Sequence, residues 1–258
     1  MPNLPNRREV VGGLAIGVPL SAVLADPRLA RAAASGLETV QIQTIGGKPV
    51  TAALARPATS PAPAVLLIHE FWGLNDQIKA VAAELASLGY LALASDLYQG
   101  GVTDNREEAV KLMKAVDPAA ATDTLVSWLR WLKADKQGTG KAGTIGWCFG
   151  GGWSLNASIA EPVDATVVYY GRVDRPADQL AHLKGPVLGH FATLDQNINR
   201  PMVEQFEAAM RTAGKPFTVY WYDADHAFAN PTGARYDQAD AALAWERTVD
   251  FCRATLRS

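Results

Sequence analysis

Thr144-Ile145-Gly146-Trp147-Cys148-Phe149-Gly150-Gly151-Gly152 joins an apolar run to a helix-like segment through the spacing Gly-x-Cys-x-Gly. That spacing matches a nucleophile elbow, in which a strand reverses sharply into a helix, with cysteine where serine is more usual. The turn holds its central residue in a strained conformation, and the residues two before and two after must be small. Gly146 and Gly150 meet that demand. A helix starting here aims backbone N–H groups and the positive end of its dipole at the sulfur, which favours thiolate. A glycine-rich turn around a buried, inert cysteine fits the same residues, so the choice rests on the remainder of the chain.

Outward from the elbow, strand-like and helix-like segments alternate from Thr39 onward. The apolar runs 64–68, 90–94, 142–146, 165–170 and 187–191 suit buried strands, and 217–222 completes the set. Segments 40–45 and 50–55 flank Gly46-Gly47, a hairpin turn signal. Helical segments are expected over 78–88, 105–116, 120–133, 152–160, 201–213 and 234–256. Initial strands followed by repeated helix–strand units predict an α/β protein with a mainly parallel central sheet and helices on both faces. The order is that of the α/β-hydrolase fold, and the right-handed crossover rule leaves few other arrangements.

The chain of 258 residues, 48% of them hydrophobic, is long enough for one domain with a full core, expected over 36–258. A formal net charge of −2 gives no electrostatic case for nucleic acid or a membrane surface, so the expected partner is a small molecule. Cys148 and Cys252 are too few for a disulfide framework. His69, His182, His190 and His226 are scattered without zinc spacing, and neither metal nor other cofactor is expected. Residues 1–35 read differently. Arg7 and Arg8 precede a mildly apolar, uncharged run over 10–25 that resembles a twin-arginine export signal. Cleavage is expected after Val23-Leu24-Ala25 or within 30–34, with a periplasmic destination. The run is too short and glycine-rich for a stable membrane span.

In the α/β-hydrolase order, an acid and then a histidine follow the nucleophile, each just past a strand end. The 187–191 strand leads into Ala192-Thr193-Leu194-Asp195, and the 217–222 strand into Asp223-Ala224-Asp225-His226. His226 would act as general base toward Cys148, with Asp195 holding its tautomer. Asp223 and Asp225 rank lower because a side chain adjacent to the histidine rarely reaches its Nδ1–H. His190, inside an apolar strand, reads as a satisfied core residue. Backbone N–H groups of Phe149 and Phe71 are the expected oxyanion donors. Glu70 is unusual beside them, since a carboxylate near the thiol opposes thiolate formation.

Gly146-Trp147-Cys148-Phe149-Gly150-Gly151, His69-Glu70-x-x-Gly73, Ser95-Asp96-Leu97-Tyr98 and the Asp195/His226 spacing together resemble the dienelactone hydrolase family over nearly the whole chain after residue 40. The resemblance implies a Cys-Asp-His triad and a glutamate, Glu70, that hydrogen-bonds the resting thiol and helps to switch it to thiolate. It also implies lactone or ester hydrolysis through an acyl-enzyme. Arg106 matches the first of two arginines that the family uses on a substrate carboxylate. Val110 and Met113 stand in place of the tyrosine and tryptophan, and Asn230 in place of the second arginine, a clamp that asparagine does not reproduce. Trp72 and Tyr98 are the other expected substrate contacts. Two alternative functions are a catalytically idle binding scaffold and acyl transfer to an acceptor other than water.

Overall fold

The computed structural model describes residues 20–258, and over these eight strands form one sheet. In chain order they are β1 (Glu38–Gln43), β2 (Pro49–Ala55), β3 (Ala62–Ile68), β4 (Leu91–Ser95), β5 (Gly138–Trp147), β6 (Ala165–Tyr169), β7 (Val187–Ala192) and β8 (Phe217–Tyr222). Across the sheet the order is β1-β2-β4-β3-β5-β6-β7-β8. β1 and β2 pair antiparallel, as do β2 and β4, and every later pairing is parallel. The helices are α1 (Leu20–Ala25), α2 (Pro27–Ala34), α3 (Asp76–Ser87), α4 (Arg106–Ala115), α5 (Pro118–Lys133), α6 (Phe149–Ala160), α7 (Ala177–Leu180), α8 (Arg200–Thr212) and α9 (Gln238–Leu256).

The uninterrupted apolar character of β3 follows from burial on both faces. Val65 and Leu67 join the core beneath α3 and α9, while Ala64, Leu66 and Ile68 join the core against α5, with Leu125, Trp128 and Leu129. A period of two therefore divides one strand between two cores, and neither side tolerates a polar residue. A third cluster holds Leu155 of α6, Val168 of β6, Phe191 of β7 and Phe206 of α8.

Two helix starts differ from the sequence expectation by three residues or more. α6 begins at Phe149 rather than near 152, because its first turn is glycine and carries no apolar period to read. α9 begins at Gln238 rather than 234. Asp237 caps it by accepting from the Asp240 N–H, and the residues before it form a turn with Tyr236 N–H on the Gly233 carbonyl.

Arg7, Arg8 and positions 10–19 of the expected export signal lie outside the described residues. Its remainder, with both expected cleavage regions, falls in α1 and α2. These helices pack on the domain: Val23 and Ala30 are buried against Ala80 of α3, and Asp26 and Pro27 form a standard helix start. Among the described residues no helix is long and apolar enough to cross a membrane.

Candidate active site

Cys148 sits between the end of β5 and the start of α6 with φ 52° and ψ −115°, outside the regions that L-residues favour. The turn closes only because its flanks lack side chains. A Cβ on Gly146 would overlap the Gly150 carbonyl, and one on Gly150 would overlap the carbonyls of Ile68 and His69. The Cys148 N–H donates to the Tyr169 carbonyl (3.0 Å), tying the elbow to β6. As the first residue of α6, Phe149 has no intrahelical acceptor for its N–H, and that group is free to serve an anion. Four non-glycine residues with positive φ are described, and three of them, Cys148, Tyr170 and Ala227, lie at this site. Strain of this kind persists where surrounding structure enforces it.

The loops after β7 and β8 bring Asp195 and His226 to the sulfur. His226 Nδ1 lies 2.5 Å from Asp195 Oδ2, and Nε2 lies 3.1 Å from Cys148 Sγ. The other carboxylate oxygen of Asp195 accepts the N–H groups of Asn197 (2.8 Å) and Ile198 (3.0 Å), which leaves Oδ2 for the imidazole. Burial opposes the charge on Asp195, yet the bonds from His226 and the two backbone N–H groups outweigh it and hold its pKa below the usual value. Burial likewise opposes charge on His226, but its bonds to Asp195 and Cys148 prevail and push its pKa up to about 10. A protonated His226 donates from Nδ1 to Asp195 and from Nε2 to Cys148. Asp225 accepts the His226 backbone N–H (2.7 Å), and Asp223 accepts the Thr193 hydroxyl (3.1 Å); neither meets the ring.

Glu70 follows β3 and is 7% exposed. The preceding His69 fixes the loop. Its Nε2 accepts the Leu97 N–H (3.2 Å), so the ring proton sits on Nδ1 and is donated to the Glu70 carbonyl (2.6 Å). Both carboxylate oxygens of Glu70 are occupied, one by the Tyr170 hydroxyl (3.1 Å) and the other by Asn230 Nδ2 (2.5 Å). Burial raises its pKa, against the opposing influence of Tyr170, His226, Asn230 and Arg235. The thiol–Glu70 hydrogen bond implied by the resemblance is not formed: sulfur is paired with His226 and the carboxylate is held elsewhere.

The expected substrate contacts divide. The Tyr98 ring packs against His69 (4.7 Å between centroids) and Phe149 (5.6 Å), and its buried hydroxyl has no partner among the described residues. Burial, and then the nearby Cys148, raise its pKa. Phe71 and Trp72 pack on one another with tilted rings (4.2 Å between centroids), both half-buried. Arg106 is exposed at the start of α4 and makes no side-chain hydrogen bond or ion pair among the described residues, so nothing ties it to the thiol. Tyr170 escaped the sequence reading, although Tyr170-Gly171 directly after a central strand marks a site position. Asn230 was legible only as a departure from a motif, not as the partner of Glu70.

His190, by contrast, is a core residue. It completes a buried chain in which Arg247 donates to the Tyr222 hydroxyl (3.1 Å) and Tyr222 meets His190 Nδ1 (2.8 Å). His190 Nε2 meets Thr248 (3.0 Å), Thr248 meets the Tyr169 hydroxyl (2.6 Å), and Tyr169 donates to the Ala244 carbonyl. Burial lowers the pKa of His190 to about 3, keeping it neutral. Among the described residues no group of three or more His, Cys, Asp or Glu side chains is arranged to hold a metal ion.

Comparison with known proteins agrees with this architecture. The model of the dienelactone hydrolase family matches residues 50–256. A carboxymethylenebutenolidase of Pseudomonas putida is 30% identical over 225 residues, which cover 83% of this chain and 95% of that protein. A dienelactone hydrolase-like promiscuous phosphotriesterase from metagenomic libraries superposes with a TM-score of 0.76 at 22% identity, over 85% of this chain and 98% of that one. Esterase 2 of Thermogutta terrifontis gives 0.63 at 17% identity, over 85% and 94%. These two likenesses concern the fold alone, whereas the family match spans the elbow, the three loops and strands β3 to β8. The chain belongs to the dienelactone hydrolase family and is a hydrolase of the α/β-hydrolase fold.

Proposed function

We propose that this protein hydrolyses small carboxylic esters or lactones with Cys148 as nucleophile. The observation that carries the reading is His226 bridging Asp195 and Cys148 at 2.5 and 3.1 Å. The thiolate attacks the acyl carbon, and the carbonyl oxygen takes the negative charge against the N–H groups of Phe149 and Phe71. The tetrahedral species collapses to a thioester as protonated His226 delivers its proton to the departing alkoxide. For a lactone that alkoxide remains tethered to the acyl group. Neutral His226 then takes a proton from water, the hydroxide attacks the thioester, and the thiolate leaves with the acid released. Asp195 accepts from Nδ1–H throughout, which keeps Nε2, the nitrogen that gives and takes the proton, facing sulfur.

The substrate class we infer is neutral. Asn230 is already engaged by Glu70, and Arg106 lies exposed at the start of α4, so these two positions do not form a paired arginine clamp for a substrate carboxylate. Tyr98, Trp72 and Phe149 supply apolar and edge contacts instead. Rapid quenching with a p-nitrophenyl ester, followed by intact-mass measurement, tests the mechanism: an acyl adduct on Cys148 is expected, and turnover without a cysteine adduct would reject it. We also propose that residues 1–35 direct export through the twin-arginine route, a reading supported by Arg7, Arg8 and the weakly apolar run that follows.

A further inference from the structure

A cavity of about 240 Å³ opens between α1, α3 and α9, and Glu70, Tyr170 and Asn230 line its buried end. Cys148, Asp195 and His226 are not part of its lining, so the space meets the site only through Glu70, Tyr170 and Asn230 and does not open onto the thiol itself. Its walls are mainly apolar, with Ile78, Trp147 and Trp245 prominent, and Leu20 and Leu24 of α1 supply one side. Cavities of roughly 150 Å³ with such walls hold benzene, so this one accommodates a ring with a short chain or an aliphatic molecule of about seven carbons.

Two features define the chemistry of an occupant. Gln77 borders the cavity and its buried Nε2 has no hydrogen-bond partner among the described residues, which leaves a donor without an acceptor. The charged side chains in the lining are both carboxylates, Glu70 and Glu246, and no lysine or arginine is part of it, Arg235 acting on Glu70 from outside the lining. An anion would be desolvated there without compensation. We propose that this cavity is a second binding site, for a neutral and largely apolar molecule carrying one hydrogen-bond-accepting oxygen, such as a medium-chain alcohol or ketone. The site belongs to the chain that retains α1, because that helix forms one wall.

The test uses the full chain with Cys148 alkylated by iodoacetamide, so that the thiol cleft is blocked. 1-Heptanol is titrated while Trp147 and Trp245 fluorescence and heat are recorded, with heptanoate as the charged comparison. Saturable heptanol binding is expected, with heptanoate at least tenfold weaker. Gln77→Leu should weaken heptanol by roughly two- to tenfold, the worth of one neutral hydrogen bond. Ala241→Trp should fill the cavity and abolish binding; should that variant not fold, Leu24→Trp on the α1 wall makes the same test. The proposal is overturned if heptanol does not saturate, if heptanoate binds equally well, or if the filling variant binds as the parent does.

Discussion

Asn230 Nδ2 donates to Glu70 Oε2 at 2.5 Å across 160 residues of sequence, joining the loop after β8 to the loop after β3. With the Tyr170 hydroxyl on the other oxygen, both carboxylate oxygens are engaged, and Cys148 pairs with His226. The pairing gives Asn230 a positioning role that a contact with substrate would not.

Asn230→Ala leaves one oxygen of a buried carboxylate without its donor. The variant should lose about 1–3 kcal/mol of stability, read as a lowered Tm. The released carboxylate should also turn toward sulfur and slow iodoacetamide alkylation of Cys148 several-fold at neutral pH. An unchanged alkylation rate would mean that Asn230 has no hold on the thiol.

The raised pKa of His226 carries a defined sign. Folding increases its proton affinity from 6.5 to about 10, so its contribution to stability is complete below 6.5 and is lost as pH rises through about 10. Acylation needs the protonated ring, so kcat/KM should hold through neutral pH and fall on an alkaline limb near 10. Asp195→Asn removes the strongest bond favouring the imidazolium and should move that limb to lower pH. A pH–rate series on both proteins checks this, and coincident limbs would assign the titration to another group.

The backbone at Cys148 stores strain of roughly 1–3 kcal/mol, while glycine in its place costs roughly 0.5–1 kcal/mol of chain entropy. Cys148→Gly is therefore expected to raise Tm modestly while reducing ester turnover at least a thousandfold. Cys148→Ala should lose turnover equally without the gain in Tm. Calorimetry beside an esterase assay separates the two effects. Turnover retained in either variant would remove sulfur from the mechanism.

For export, replacing Arg7 and Arg8 by lysine should leave the protein in the cytoplasmic fraction of an expressing bacterium, with the parent recovered from the periplasm. N-terminal sequencing of the exported form would then tell whether α1 is retained. Equal periplasmic recovery of both proteins would reject the twin-arginine reading.

The strands and most helices were legible because each is written locally. Continuous apolar runs mark strands buried on both faces, and a period near 3.6 marks helices between them. Where that signal is absent, as in the glycine turn that opens α6, the boundary moved by a few residues. α7 (Ala177–Leu180) is only one turn long, too short for any period to appear.

The sequence by itself determined the elbow at Cys148, with glycines where a Cβ cannot fit, and the order of Cys148, Asp195 and His226 past the ends of β5, β7 and β8. Those features follow from local sterics and from a chain order that the parallel sheet imposes. Tertiary structure decided what surrounds them: the clamp of Tyr170 and Asn230 on Glu70, the exposure of Arg106, and the packing of α1 over a cavity that reaches Glu70. Such contacts join residues 100 and 160 positions apart. They depend on how strand register and loop geometry aim each side chain, and no local pattern encodes that direction.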